Sequence, residues 1–158
     1  MNRRKFWTYV IGIAIPLAVG ALSGFLTMGA MESFQESVNQ SALTPPGIVF
    51  PVVWTVLYTL MGISSARIYL ARPSEERTKG LTIYVFQLIF NFFWSLFFFN
   101  MRAFGFSLLW ILALWALIGL MILSFRKVDP LAAGLQIPYF LWVTFATYLT
   151  FTVWRLNP

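Results

Sequence analysis

The chain contains no cysteine and no histidine among its 158 residues. The first absence excludes disulfides, thiolate nucleophiles and cysteine metal sites, and leaves the redox compartment unreadable. The second removes the commonest metal ligand and the commonest general acid–base group. Charge is scarce too: charged residues make up 10% of the chain and only five are acidic. None lies deep inside an apolar run, and Arg67, near the end of one, can snorkel to the surface. Proton-coupled pumps and ion carriers keep an ionisable group in the membrane interior, and this chain offers none. There is no phosphate-binding glycine loop, no G-x-S-x-G elbow, no zinc-ligand spacing and no paired carboxylates. Conventional acid–base or nucleophilic catalysis is therefore not expected, and no metal site or obligatory cofactor is expected either.

Apolar surface is what the chain has in excess. Hydrophobic residues are 59% of it, aromatic residues 19%, and the mean hydropathy is +0.78. A soluble domain of this length could not hide so much of it. Five apolar segments, about 6–27, 47–70, 80–100, 104–124 and 131–154, each approach the ~20 residues that a bilayer crossing needs. The first follows Arg3-Arg4-Lys5 as a signal peptide would, but it is too long for that role and no A-x-A site follows it, so a retained span is expected. The fold class is an all-α membrane protein, a five-transmembrane-helix bundle forming a single domain over 1–158.

The breaks between spans have physical causes. Pro73-Ser74-Glu75-Glu76 ends the second span and caps the third, Asn100-Met101-Arg102 makes a tight turn, and Asp129-Pro130 opens the fifth. The longest connection, 28–46, carries Glu32 and Glu36 but no basic residue, and is expected to be a lid or a mobile loop. With alternating spans, Arg3, Arg4, Lys5, Arg67, Arg72, Arg77, Lys79, Arg126 and Lys127 share one side, leaving only Arg102 and Arg155 on the other. The positive-inside rule then puts the N-terminus in the cytoplasm and the C-terminus outside. The net charge of +6 thus reflects topology and attraction to anionic lipid, not nucleic-acid binding.

Aromatic and weakly polar residues recur at helical spacing. Pro51, Trp54, Tyr58 and Met61 share one face of the second span; Tyr84, Gln87, Asn91, Trp94 and Phe98 one face of the third; Pro138, Trp142, Phe145, Ala146 and Leu149 one face of the fifth. Gln87 and Asn91 need partners in lipid, so their stripe must face protein, water or a ligand. Counting along the helices puts Trp54, Asn91, Trp94 and Ala146 at a similar depth, with Trp142 a turn deeper. They either surround one cavity under the 28–46 connection or simply pack as core. Pro51 is expected to bend its helix and aim Trp54 and Tyr58 inward. Trp7 and Trp154, at span ends, read as interfacial anchors, and Trp110 and Trp115 as packing or lipid-facing residues. In the first span Gly12, Pro16, Gly20 and Gly24 recur every four residues. Such a row of small residues serves either a homodimer seam or close packing within the chain, and both stay open.

Pro45-Pro46-Gly47 with Pro51, Trp54 and Leu57-Tyr58, then Phe90-Asn91 with Trp94 and Phe97-Phe98, then Pro138-Tyr139 with Trp142 and Phe145-Ala146-Thr147, closely resemble the translocator protein family. Its members are also called tryptophan-rich sensory proteins or peripheral-type benzodiazepine receptors. The resemblance spans nearly the whole chain. It implies a five-helix bundle, commonly a homodimer, in a bacterial cell membrane. It also implies binding of porphyrins (protoporphyrin IX and haem) and of isoquinoline carboxamides as ligands. By motif position Trp54, Asn91, Trp94, Trp142 and Ala146 would line that cavity, with Pro46, Tyr58, Phe90, Tyr139 and Phe145 nearby. The function expected is that of a porphyrin-binding receptor or sensor. The alternatives are a light-dependent porphyrin-degrading enzyme, with Trp54 and Trp142 as photochemistry candidates, and a carrier of tetrapyrroles or sterols. An amide such as Asn91 is expected to offer the ligand a hydrogen bond. The chain departs from the family at Leu43, where a tryptophan is usual, in lacking the loop's Trp-Tyr pair, and at Phe151, where the cholesterol motif wants tyrosine. Cholesterol specificity is not expected.

Overall fold

The computed structural model describes residues 1–158 and contains only helices and their connections. In chain order these are α1 (Arg3–Ser37), α2 (Val49–Leu70), α3 (Glu75–Ser95), α4 (Phe104–Arg126), α5 (Pro130–Leu135) and α6 (Ile137–Leu156). The last turn of α3 widens into a π-helical segment, Leu96–Asn100, and α5 and α6 together make one crossing. Five helical segments are long and apolar enough to span a membrane. The chain is an all-α membrane bundle, as its hydropathy led us to expect. One end carries the connection after α1 and the α3–α4 turn, and is called here the loop end. The other carries most of the Arg and Lys residues, and is the basic end.

Helix starts follow the sequence's capping signals. The Asn2 side chain accepts from Lys5 N at 2.8 Å, Ser74 Oγ from Arg77 N at 3.1 Å, and Asp129 Oδ1 from Leu131 N at 3.1 Å. Each such cap is worth ~1 kcal/mol against alanine.

Two expectations are corrected. The connection predicted for 28–46 is helical as far as Ser37, so only residues 38–48 link α1 to α2. Hydropathy ends where the membrane ends, but a helix need not. Phe34 on the added turns is buried against Phe98, Phe99 and Phe104, which holds them to the bundle. The bend predicted at Pro51 also has no basis. Pro51 is the third residue of α2, where the missing N–H would have had no helical partner anyway.

α1 packs along α2, α3 along α4, and α4 along α6, while short α5 is wedged against α2 and α4. Glycine permits the first of these contacts. A Cβ on Gly62 would lie 2.3 Å from Ile13 Cα, and one on Gly20 2.3 Å from the Tyr58 ring. Gly12 faces Gly62 O and Ala66, whereas Gly24 faces nothing within 4 Å. Two of the three glycines in the α1 row are thus used within the chain.

At the basic end Arg67 Nε donates to Asp129 Oδ2 at 2.7 Å, and Ser64 Oγ to Ala132 O at 2.7 Å, clasping α2 to α5. Burial alone would raise the Asp129 carboxyl, but the hydrogen bond and charge of Arg67, with backbone N–H groups, outweigh it and hold it below its ordinary value. At the loop end, Arg102 Nη2 donates to Ser33 Oγ and Ser37 Oγ at 3.0 and 2.9 Å from a backbone with φ of 49°. Asn39 and Asn157 bond reciprocally, Asn39 N to Asn157 Oδ1 at 3.1 Å and Asn157 Nδ2 to Asn39 O at 2.9 Å. Ser41 Oγ lies 3.5 Å from the Tyr148 hydroxyl. The 38–48 connection is therefore laid along the outer turns of α6. The fifth crossing is interrupted at Gln136, a fully buried residue with neither side-chain polar atom bonded.

Candidate functional site

α2, α3 and α6 converge on one buried chain of polar side chains. Tyr58 Oη donates to Asn91 Oδ1 at 2.7 Å, Asn91 Nδ2 to Tyr139 Oη at 2.8 Å, and Tyr139 Oη to Gln87 Oε1 at 2.7 Å. Gln87 and Asn91 stand one turn apart on α3 and face Tyr58 of α2 and Tyr139 of α6, so these polar atoms meet instead of facing lipid. The pairings also answer the problem of placing amides in a membrane, since every link satisfies a group that hydrocarbon could not. Asn91 is consequently engaged on both its oxygen and its nitrogen. The amide expected to offer a ligand a hydrogen bond fixes two tyrosines and keeps a second N–H.

Rings cover this chain on its loop-end side. Trp54 stacks on Tyr58 with centroids 5.4 Å apart, and stands edge-on to Tyr139 at 6.2 Å and to Trp142 at 6.5 Å. Phe50 meets Trp142 at 5.8 Å. Trp54 and Trp142 are therefore neighbours. The rings fill the space between the helices.

The remaining predicted residues divide. Trp94 stacks on Phe98 at 4.9 Å, in a second aromatic group with Phe34, Phe99 and Phe104 toward the loop end. Trp94 also touches the main core, so it joins the two groups. Ala146 is buried in the main core, and Phe145 packs on Trp142 at 5.7 Å. Leu149 is half-buried one turn further out. Phe90 turns the other way. It stacks on Trp110 at 4.2 Å, and Trp110 Nε1 donates to Phe90 O at 2.8 Å, so it braces α3 on α4 and stands apart from the site. Pro46 and Pro51 are exposed, at the end of the connection and the start of α2.

Gln87 Nε2, at the end of the polar chain, is buried without a partner, and so are two indole donors beside it. The indole N–H groups of Trp94 and Trp142 are buried without a partner, whereas Trp110 and Trp115 have found Phe90 O and Thr144 Oγ1. A buried indole N–H without an acceptor is unusual in a finished core. Both lie in the two aromatic groups that flank the polar chain. The arrangement can grip a flat apolar molecule between rings and donate to an acceptor at its edge. It holds no charged group and no cluster of acidic residues that could bind a metal. Phe50 was missed by sequence reasoning, although it stands four residues before Trp54 and so on the same helix face. Gln136 was also missed, although a lone amide two residues before Pro138 in an apolar segment was a visible sign.

The sequence profile of the TspO/MBR family matches residues 12–155. The chain is 34% identical to the tryptophan-rich protein TspO of Chlorobaculum tepidum, over the whole of both chains. It is 35% identical to protein CrtK of Rhodobacter capsulatus, covering all of this chain and 96% of that one. To the translocator protein of Sus scrofa it is 30% identical, over 96% of this chain and 91% of that one.

Proposed function

The chain belongs to the TspO/MBR family, and from that premise we propose that it is a membrane receptor or sensor that binds porphyrin between α2, α3 and α6. The observation that carries the reading is the pair of unpartnered indole N–H groups, on Trp94 and Trp142, beside the stacked and edge-on rings of Trp54, Tyr58 and Tyr139. The family resemblance supplies the ligand class, protoporphyrin IX and haem, with isoquinoline carboxamides as synthetic ligands.

Binding would part the Trp54–Trp142 contact and replace ring-on-ring packing with ring-on-macrocycle packing. That exchange conserves apolar burial, so its driving force lies in the larger stacked face and the two new N–H acceptors. The Tyr58–Asn91–Tyr139–Gln87 chain would form a rigid floor. With no histidine or cysteine as axial ligand, metal-free porphyrin should bind at least as well as haem. The proposed setting is a bacterial cell membrane with the basic end cytoplasmic, following the charge asymmetry. Homodimerisation is carried over from the family.

The test is a dark titration of the purified protein with protoporphyrin IX, read by tryptophan fluorescence. Saturable, equimolar quenching that Trp142→Phe weakens is the expected result. Linear quenching, equal in both proteins, would reduce the rings to core packing. A second reading, light-driven porphyrin degradation, draws on Trp54 and Trp142 as oxidisable neighbours of the same ligand. It separates from the first only if illumination of the complex in air yields a new pigment.

A further inference from the structure

The loop end of the site is closed by bonds, and its flank by packing alone. At the loop end, access would require breaking the reciprocal Asn39–Asn157 pair and lifting Val38 from its buried place beside Phe34, Phe98 and Val153. Arg102 further ties that end of α1 through Ser33 and Ser37. On the flank, α2 and α6 scarcely approach through their backbones, α2 leaning on α1 and α6 on α4. Between them lies a groove of about 520 Å³, lined among others by Val52, Val56, Leu57, Pro138, Leu141 and Trp142.

Val52, Val56 and Leu141 are more than half exposed on the outside of the bundle. The groove therefore opens where the spans meet hydrocarbon. Its inner wall is Trp142, the one side chain that belongs both to the groove and to the ring cluster around Trp54. Because the Trp142 N–H has no partner, turning that indole aside breaks no hydrogen bond.

We propose that flat apolar ligands reach the aromatic site sideways out of the bilayer, through the α2–α6 groove, with Trp142 as the gate. The lining offers almost no polar atom, so a ligand must lead with an apolar edge. Carboxylates on its opposite edge would trail toward the loop end, where water and Arg155 lie. A dissolved, strongly hydrated ligand would be excluded by the cost of stripping its polar groups. The proposal rests on the binding reading above, and the experiment separates the two.

Association of protoporphyrin IX would be followed by stopped-flow tryptophan fluorescence on protein in lipid nanodiscs. One variant, Asn39→Cys with Asn157→Cys joined by a short bifunctional thiol reagent, locks the loop end; the absence of native cysteine makes that link unambiguous. The other, Val56→Phe with Leu141→Phe, fills the groove from its lipid-exposed rims. Val56→Phe alone serves if the double variant does not fold. The expected result is an unchanged rate in the locked protein and a rate lower by about tenfold in the filled one. A slowed locked variant with an unaffected filled variant overturns the proposal in favour of access from the loop end. Unchanged rates in both overturn it while leaving the binding reading intact. Conversion of a dimer into a monomer by the filling substitutions would assign the groove to a second copy and also overturn it. Absence of saturable binding in the unsubstituted protein removes the binding reading, and the route with it.

Discussion

Asn91 holds Tyr58 through its amide oxygen at 2.7 Å, and the same amide donates to Tyr139 from its nitrogen at 2.8 Å. Replacing Asn91 by leucine strands the Tyr58 hydroxyl, whereas Tyr139 keeps Gln87 as an acceptor at 2.7 Å. Asn91→Leu should therefore cost ~1–2 kcal/mol, combining a lost interhelical bond with one stranded buried hydroxyl. Tyr58→Phe likewise leaves the buried Asn91 amide oxygen without its donor and should cost a similar ~1–2 kcal/mol. Thermal unfolding of both variants and of the double variant in detergent checks this. If Tyr58→Phe still costs as much in the Asn91→Leu background, the two residues are not coupled.

Glycine substitutions along α1 and α2 should separate sharply. Gly62→Ala drives a methyl to within 2.3 Å of Ile13 Cα, a backbone atom that cannot move aside. It should lower the unfolding temperature the most. Gly20→Ala meets the Tyr58 ring at the same distance, so it should disturb the Trp54–Tyr58 stack and weaken porphyrin quenching. Gly24→Ala has open space and should be neutral or gain up to ~1 kcal/mol from helix propensity. Equal effects at the three positions would contradict the packing described.

The Arg67–Asp129 pair predicts an acid dependence. The folded carboxyl titrates below its unfolded value, so its stabilisation is complete above about pH 4 and is lost as pH falls through the folded value. Both side chains retain some exposure, 34% and 19%, which limits the effect to ~1 kcal/mol or less. Asp129→Asn keeps a good helix cap and loses only the charge, so it should flatten the acid limb of the unfolding-temperature profile. Asp129→Ala should cost a further ~1 kcal/mol at every pH.

Arg102 occupies the left-handed region, φ 49°, which favours glycine. Arg102→Gly trades two exposed hydrogen bonds, to Ser33 and Ser37, for relief of that strain. Arg102→Ala loses the bonds and keeps the strain. Alanine should therefore be the less stable of the two by ~1 kcal/mol, measured by thermal unfolding.

Hydropathy and charge were enough to place the five crossings, because bilayer thickness imposes a length that composition reveals. They could not place the end of α1, since Glu32 and Glu36 sit on helical turns held by Phe34 and not by lipid. Spacing brought Trp54, Tyr58, Asn91 and Trp142 onto facing stripes, and the family resemblance added Tyr139. It could not tell that Asn91 would spend its amide on tyrosines, because partner choice depends on how the helices rotate against each other. Phe90 shows the same limit. It adjoins Asn91 in sequence, and a rotation of about 100° per residue is enough to turn it to α4.

The interruption at Gln136 divides the last crossing into two mechanically different parts. α5 is anchored to α2 by Ser64 and Arg67, while α6 rides on α4 and carries Trp142 beyond the break. The longer part is thus a lever with its fulcrum at the break. Trp142 lies six residues from the fulcrum, about 9 Å along the helix, so a tilt of a few degrees displaces its ring by only a fraction of an ångström, while the tip near Leu156 swings roughly three times as far. The Asn39–Asn157 pair therefore steadies the tip, while the Trp142 ring, so near the fulcrum, turns on its own side-chain torsions independently of it.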